Sequence, residues 1–224
     1  MWEGIKLFIA TWHAPCEFII VDDGSSDDTA KLIKANDMFC KLVADGRAQL
    51  IQQKNTGKGG ALANGVAQAK YNFILTLDAD MATMPTELLK WLQYEPGMFD
   101  TYSVYIAART HKYSELVLIS SRRESGKLFA QIVQKLIGLP YTDTQCGFKL
   151  YPSLIAKGIF SKLYIKGWAH DVDLLLQLQR AKISVVEMPI AWNEREASKI
   201  NVITDGIKML YDVLKLRIFR KSGH

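Results

Sequence analysis

The sequence predicts an α/β fold with a mostly parallel central sheet flanked by helices, and three observations support this prediction. Strand and helix signals alternate through the first half of the chain, which is typical of a parallel sheet. Two short runs, 18–21 and 73–77, are almost entirely apolar, as expected for central strands buried on both faces. Both runs end in carboxylates, Asp22 and Asp23 after the first and Asp78 and Asp80 near the end of the second. Open α/β sheets bind their ligands at the carboxyl ends of such strands.

Length and composition indicate one globular domain over residues 1–224. Hydrophobic residues make up 49% of the 224 residues, which is enough for a substantial core and argues against disorder. The formal net charge of +5 fits an anionic ligand or a membrane surface and does not indicate nucleic acid binding. The three cysteines are far apart without metal-binding spacing, so we expect them to be reduced and the protein to be cytoplasmic.

Helix and turn signals supply the remaining elements in order. Ser25 and Ser26 precede a predicted helix that runs towards Gly46, and Pro85 can open a later helix. The pattern also predicts strands at 49–52, 102–108 and 184–188 and helices at 61–70, 126–139 and 168–180. The last predicted helix, 201–221, is amphipathic and basic, so its apolar stripe fits either the domain's own core or an anionic membrane surface.

No stretch of the sequence is long and apolar enough to span a bilayer, and the first residues lack the features of a signal peptide. We therefore expect a peripheral protein at the cytoplasmic face of a membrane.

The Asp78-Ala79-Asp80 sequence is a candidate metal site. In an extended chain its two carboxylates point to the same side, where they repel each other unless a cation lies between them. Mg²⁺ suits this position, because it is often held by one or two carboxylates together with substrate phosphates. An isolated Asp-x-Asp sequence is more often a solvated turn, so the metal hypothesis depends on the other motifs.

The glycine-rich loop 55–60 is a second candidate, in which backbone N–H groups and Lys58 can cradle a phosphate. Read alone, the loop is equally compatible with a turn that caps a helix. It is not a P-loop, because it lacks the required first glycine and the hydroxyl residue after the lysine. No Gly-x-Gly-x-x-Gly sequence follows a strand, which argues against a dinucleotide enzyme.

Read in order, five segments resemble the family 2 inverting glycosyltransferases of GT-A fold. They are Val21-Asp-Asp-Gly-Ser-Ser-Asp27, Asn55-Thr-Gly-Lys-Gly-Gly-Ala61, Asp78-Ala-Asp80, Asp143-Thr-Gln-Cys-Gly-Phe-Lys-Leu150 and Gly167-Trp-Ala-His-Asp-Val-Asp173. Within the family, the chain is most similar to the dolichyl-phosphate β-glucosyltransferase branch and its polyprenyl-phosphate relatives. The resemblance covers roughly residues 18–199.

The resemblance implies roles for the acidic residues. It places Asp22 and Asp23 on the uridine and ribose of the donor, with Asp78 and Lys58 also at the nucleotide. It makes Asp78 and Asp80 the pair that holds Mg²⁺ or Mn²⁺ against the donor diphosphate. Asp171 matches the position of the presumed general base, although a phosphate acceptor is largely dianionic at neutral pH and hardly needs one. Without the resemblance, Asp171 would be interpreted as a solvated residue in the first turn of a helix.

The resemblance also implies the partners. The donor is a nucleotide sugar, with UDP-glucose favoured and GDP-mannose open, and the acceptor is a polyprenyl or dolichyl phosphate. The candidates for gripping the acceptor phosphate, or lining its site, are Arg109, Arg123, Asp143, Gln145, Lys149 and Lys199. A polar loop such as 142–150 also often just caps a turn.

The chain departs from the family at its start, where the family has a strand ending in a Pro-Ala-Tyr-Asn-Glu-like sequence. Residues 5–11 have no such ending, so we expect that strand to be missing.

Two alternatives to a glycosyltransferase stay open. Because of the missing strand, the first is a truncated, non-catalytic domain that binds a nucleotide or a lipid. The second is a haloacid-dehalogenase-type phosphatase, which has an Asp-x-Asp-x-Thr/Val signature, but Ala82 occupies the Thr/Val position.

Overall fold

The computed structural model describes residues 1–94, 99–117, 136–193 and 202–219, with the side chains of the last segment described from 206 to 217. Within these residues the helices are α1 Trp2–Thr11, α2 Thr29–Lys34, α3 Asp37–Ala44, α4 Lys58–Gln68, α5 Glu87–Tyr94, α6 Ser153–Phe160, α7 His170–Arg180 and α8 Val202–Phe219. The strands are β1 Phe18–Asp22, β2 Ala48–Gln52, β3 Phe73–Thr76, β4 Ser103–Ala107, β5 Glu115–Val117, β6 Lys149–Pro152, β7 Ser184–Met188 and β8 Ala191–Asn193.

The α/β class and the alternating order are confirmed, but the single predicted sheet is divided. β1 pairs in parallel with β2, and a separate sheet has the order β3-β6-β4-β7. In that second sheet β4 and β7 are parallel, whereas β6 runs antiparallel to both of its neighbours. A third, two-stranded parallel sheet joins β5 and β8. That all 224 residues form one domain stays a prediction.

The prediction that both apolar runs are fully buried central strands is wrong. β4 and β6 are buried at every residue, but β1 and β3 are buried only at their last residue and half-buried elsewhere. The reason is that β1 and β3 are edge strands of different sheets, and an apolar cavity of about 700 Å³ lies between them.

Local signals explain two further differences in the helices. The helix predicted to run towards Gly46 is split into α2 and α3, because the Asn36 side chain accepts hydrogen bonds from the N–H groups of Met38 and Phe39 and starts a new helix. Residues 2–11, for which we predicted no helix, form α1. The predicted helix 126–139 lies mostly outside the described residues.

The core consists of layers of side chains on either side of the larger sheet. One cluster joins residues of β4 and β6 to α6, α7 and α8, with Val104, Tyr151 and Val172 among its members. A second cluster centres on Trp91 and Phe148, whose rings meet edge to face at 5.1 Å between centroids. This packing fixes the ends of β6 and α7, which carry several of the predicted site residues.

The C-terminal helix α8 rests on the first core cluster and exposes an apolar stripe. Val213 and Leu216 are fully buried in that cluster, whereas Ile207, Tyr211 and Leu214 are exposed at 64%, 59% and 40%. The exposed three lie at spacing i, i+4 and i+7, so they share one face of the helix. None of the helices in the described ranges combines the length and apolar composition needed to cross a membrane.

Candidate active site

The acidic residue Asp23, just after β1, fixes the conformation of the glycine-rich loop. Its carboxylate accepts hydrogen bonds from the backbone N–H groups of Thr56 and Gly57, at 2.9 and 2.8 Å, and from the Gln53 side chain at 2.7 Å. The neighbouring Asp22 carboxylate is buried and accepts the Ser25 N–H at 3.0 Å. Hydrogen bonds from the Ser25 hydroxyl and N–H lower the pKa of Asp22. Both carboxylates therefore hold the backbone that follows β1 and the glycine-rich loop in place.

Gly57 is required by the backbone path of this loop. Its φ of +88° is in the left-handed region, and a Cβ built there would lie 2.6 Å from the backbone oxygen of Lys166. That oxygen also accepts the Gly59 N–H at 2.8 Å at the start of α4. The loop is thereby held between Asp23 on one side and residues 166–167 on the other.

We expect Gly57→Ala to destabilise the fold by about 2 kcal/mol or more, because it combines left-handed strain with a backbone clash. The measurement is the free energy of unfolding in urea. The matched control is Gly158→Ala in α6, where a Cβ meets no atom within 4 Å and helix propensity favours alanine. Equal stability of the two variants would contradict this account of the loop.

Lys58 brings the loop to the Asp-x-Asp pair. Its ammonium group lies 2.6 Å from the Asp78 carboxylate. Burial lowers the pKa of Lys58, but the carboxylates of Asp78 and Asp171 outweigh that effect and raise it. A Cβ on Gly147 would lie 2.7 Å from the Asp78 carboxylate, so the absence of a side chain there makes room for it.

The donor set at Asp78 and Asp80 fits a hard divalent cation that shares its coordination with a ligand. Asp78 is partly exposed, and Asp80 is exposed with one carboxylate oxygen accepting the Ala82 N–H at 2.9 Å. In the described part of the chain, no three His, Cys, Asp or Glu side chains converge to hold a metal by themselves. Two carboxylates completed by phosphate oxygens are a common arrangement for Mg²⁺.

Asp171, near the start of α7, forms a buried ion pair with Lys149 at the start of β6. The two side chains are no more than 6% exposed and are in direct contact, and the Lys149 ammonium also donates to the Cys146 carbonyl at 2.6 Å. Burial raises the pKa of the Asp171 carboxyl, but His170, Lys149 and Lys58 outweigh it and bring the pKa to about 2. The predicted role of Lys149 in gripping the acceptor is wrong for this geometry, because its ammonium group is buried and already paired.

Arg109, whose side chain is 33% exposed, forms a second ion pair at the site with the buried Asp143. The guanidinium donates to both carboxylate oxygens, at 2.7 and 3.0 Å, and the Arg109 N–H donates at 3.0 Å. Burial raises the pKa of Asp143, but Arg109 outweighs it and holds that pKa below its ordinary value. Arg109 also lies 5.5 Å from the Trp192 ring centroid. Among the residues that the structure describes, the buried Nε2 of Gln145 finds no hydrogen-bond partner.

The structure brings most of the predicted site residues together and adds others. Arg123 and Lys199 lie outside the described residues, so their roles stay predictions. The sequence analysis did not single out Gln53 or Gly147 as parts of the site. The signal that was available is their position, because Gln53 lies next to the glycine-rich loop 55–60 and Gly147 lies within the segment 143–150. A further side chain at the site is Trp168, which is 42% exposed and whose ring centroid lies 5.9 Å from the Lys58 ammonium.

Solved structures share this architecture. Glucosyl-3-phosphoglycerate synthase from Mycobacterium tuberculosis, in complex with Mn²⁺, UDP and glucosyl-3-phosphoglycerate, superimposes with a TM-score of 0.58 at 14% identity. The match covers 90% of this chain and 68% of that one. The fold, with its acidic residues at the carboxyl ends of the strands, is that of the GT-A class of glycosyltransferases.

Sequence comparison then identifies the family. The model of glycosyl transferase family 2 matches residues 3–160, and the chain belongs to this family. Dolichyl-phosphate beta-glucosyltransferase from Dictyostelium discoideum is 33% identical over 90% of this chain and 62% of its own length. The Homo sapiens protein of the same name is 34% identical over 92% of this chain and 65% of its own length. The chain thus spans less than two thirds of these relatives. The family and the fold leave the haloacid dehalogenase alternative without support.

Proposed function

We propose that this chain transfers glucose, with inversion, from UDP-glucose to a dolichyl or polyprenyl phosphate. The observation that carries the proposal is the Lys58–Asp78 pair beside Asp80, at the edge where Asp23 holds the glycine-rich loop. This arrangement suits a nucleoside diphosphate and its metal ion. The relatives named dolichyl-phosphate beta-glucosyltransferase support both the sugar and the acceptor.

Asp78 and Asp80 are the residues that would hold Mg²⁺ or Mn²⁺, and the Mn²⁺–UDP complex of the structural neighbour supports this assignment. When bound, the metal ion offsets negative charge on the departing diphosphate. We expect Lys58, which is paired with Asp78 in this structure, to contact a diphosphate oxygen of the bound donor. Gly147 leaves the space into which the Asp78 carboxylate fits.

In the transfer step, an oxygen of the acceptor phosphate forms a bond to the anomeric carbon while the bond to the donor diphosphate breaks. A dianionic phosphate has no proton to lose, so no general base is needed. Asp171, with its pKa of about 2, remains a carboxylate and is paired with Lys149. We therefore assign Asp171 a positioning role, through Lys149 and Lys58, and no proton transfer.

The exposed stripe on α8 supports contact with a membrane surface. Ile207, Tyr211 and Leu214 share a face on which the Lys215 ammonium lies 4.4 Å from the Tyr211 ring centroid. Apolar side chains bordered by basic ones suit the boundary of an anionic bilayer. Another face of the same helix, with Val213 and Leu216, packs on the core cluster that includes residues of α7.

The direct test supplies the purified protein with dolichyl phosphate, a radiolabelled donor and Mn²⁺ or Mg²⁺. We expect labelled dolichyl phosphate glucose from UDP-glucose, none from GDP-mannose, and none in the presence of a chelator. Tight, metal-dependent UDP-glucose binding without product would favour the alternative of a non-catalytic binding domain. Transfer that persists in the chelator would contradict the metal assignment.

The pH dependence of kcat/KM should be set by the second pKa of the acceptor phosphate and not by the titration of an enzyme group. We expect an acid limb near pH 6, where the acceptor phosphate takes up its second proton. Asp171 contributes no limb there, because its lowered pKa keeps it ionised until the pH falls towards 2. With a phosphonate acceptor of higher second pKa, the limb should move upwards by the same amount. A limb that stays fixed when the acceptor is changed would point to an enzyme group instead.

A further inference from the structure

The turn that carries the Asp-x-Asp pair contains a methionine in a backbone conformation that favours glycine. Met81, directly after Asp80, has a φ of +55°. Residues with a Cβ rarely adopt this left-handed conformation, because the Cβ approaches the following carbonyl oxygen. In the described part of the chain, Lys182 is the other non-glycine residue with a positive φ, and its place just after the end of α7 explains it. Met81 does not end a helix, so its conformation needs a different explanation.

Two hydrogen bonds on either side of Met81 depend on this conformation. The Met81 N–H donates to the Asp78 carbonyl at 3.1 Å, which closes a turn over residues 78–81. The next N–H, that of Ala82, donates to a carboxylate oxygen of Asp80 at 2.9 Å. The backbone dihedral angles of Met81 lie between these two N–H groups and set their relative orientation. They therefore determine how the Asp80 carboxylate is directed relative to Asp78.

The Met81 side chain anchors this turn in the core. It is 4% exposed and belongs to a core cluster with Ile5 of α1 and Leu42 of α3. Its sulfur lies 3.2 Å from the position that a Cβ on Gly4 would take, so the glycine leaves space for it. The unbranched side chain of methionine suits such an irregular space. Burial of this side chain offsets the strain in its own backbone.

The chain after Met81 is held as well. The Ala82 carbonyl accepts the Asn193 N–H of β8 at 2.8 Å, and Ala82 is itself buried. Asp80 is exposed, but the residues that follow it are fixed to two different parts of the core. Strained conformations persist where the surrounding structure fixes them in this way, and they cluster at functional sites.

We propose that Met81 is a positioning residue for the metal ion: its buried side chain holds the left-handed turn that fixes the Asp80 carboxylate relative to Asp78. The inference rests on the proposed role of Asp78 and Asp80 as metal ligands. The Met81 sulfur lies in the core cluster, so Met81 acts through Asp80 and not as a ligand. Carboxylates that are already held in place bind a cation more tightly than carboxylates that must be ordered on binding.

The test compares three substitutions at Met81 by calorimetric titration of UDP with Mn²⁺ and again with a chelator. Met81→Leu keeps an apolar anchor of similar size, so the Mn²⁺-dependent affinity should stay within about threefold. Met81→Ala keeps the Cβ but loses the anchor, and the affinity should fall by about tenfold or more. Met81→Gly loses the anchor but accepts the left-handed conformation without strain, so its loss should be smaller. Metal-free UDP binding should be the same in all three variants.

Two control variants separate positioning from stability. Met84→Ala removes a half-buried side chain that packs on the same core cluster but lies outside the 78–82 turn. Lys182→Gly removes a left-handed strain at the opposite end of α7 from Asp171. Both should bind Mn²⁺ and UDP like the unchanged protein. The electron paramagnetic resonance spectrum of bound Mn²⁺ should change in Met81→Ala and stay the same in Met84→Ala, which a general loss of stability would not produce.

Three outcomes would overturn the role of Met81: undiminished Mn²⁺-dependent affinity in folded Met81→Ala, an equal loss in Met84→Ala, or an equal loss in Met81→Leu. If Met81→Ala does not fold, the comparison of Met81→Gly with Met81→Leu decides in the same way. Asp80→Asn distinguishes this failure from a failure of the proposed function. Undiminished Mn²⁺ dependence in Asp80→Asn overturns both, whereas a large loss there without a loss in Met81→Ala overturns only the role of Met81.

Discussion

Asp171→Asn is expected to lower the free energy of unfolding by about 3–5 kcal/mol, because it leaves the buried Lys149 ammonium without its carboxylate. The urea midpoint at neutral pH measures this loss. The double variant Lys149→Met, Asp171→Leu should recover much of the stability, since a buried ion pair can often be replaced by apolar residues at little cost. Activity should remain low in that variant, because the Asp171 carboxylate that interacts electrostatically with Lys58 has been removed.

The control for this pair is the exposed bridge between Lys31 and Asp28, whose side chains are 85% and 69% exposed. Asp28→Asn should change stability by no more than about 1 kcal/mol. If Asp171→Asn destabilises the protein no more than this control does, the buried pair does not have the structural role assigned to it.

The lowered pKa of Asp171 provides a second check. The stabilising contribution of the Asp171 carboxylate is present above the ordinary carboxyl pKa of 3.8 and should be lost as the pH falls towards 2.

Asp78→Asn and Asp80→Asn should each weaken Mn²⁺-dependent UDP binding by more than about 100-fold, because each removes a proposed metal ligand. Calorimetric titration of UDP with Mn²⁺, and again with a chelator, measures the metal-dependent part. We expect Asp80→Asn to leave stability nearly unchanged, because Asp80 is exposed. Asp78→Asn also releases Lys58 and should alter metal-free UDP binding.

The matched control is Asp45→Asn. The Asp45 carboxylate is exposed and lies before the amino end of β2, whereas the proposed metal site lies at the carboxyl ends of the strands. This variant should bind UDP and Mn²⁺ like the unchanged protein. Unaltered manganese dependence in Asp80→Asn would remove this residue from the metal site. Loss of affinity in both Asp80→Asn and Asp45→Asn would indicate a general effect of charge and not coordination.

The class of fold and the location of the site could be read from short-range patterns. An apolar run followed by carboxylates indicates a strand and the edge at which it ends, and both properties are local in sequence. The family was accessible for the same reason, since its motifs are contiguous strings such as residues 78–80 and 143–150. The amphipathic pattern of α8 was also visible, and the structure shows that Val213 and Leu216 lie on its buried face.

Pairing between distant residues could not be predicted in this way. Lys149 carries the charge expected of a phosphate ligand, but packing buries it against Asp171, 22 residues further along the chain. The Asp23 carboxylate accepts hydrogen bonds from a loop more than 30 residues further along the chain, and the Arg109 guanidinium donates to Asp143. Side-chain type alone does not reveal whether a charge faces solvent or an internal partner.

The sequence by itself determined the α/β class, the family and the acidic edge, because these depend on periodicity and on short motifs. Only the tertiary structure decided that β1 and β3 belong to different sheets, since strand pairing is a long-range property that apolar runs do not encode. It also decided which charged groups remain available to a ligand. Burial makes an ion pair between Lys149 and Asp171 preferable to two separate charges, whereas Asp80 stays exposed at the rim.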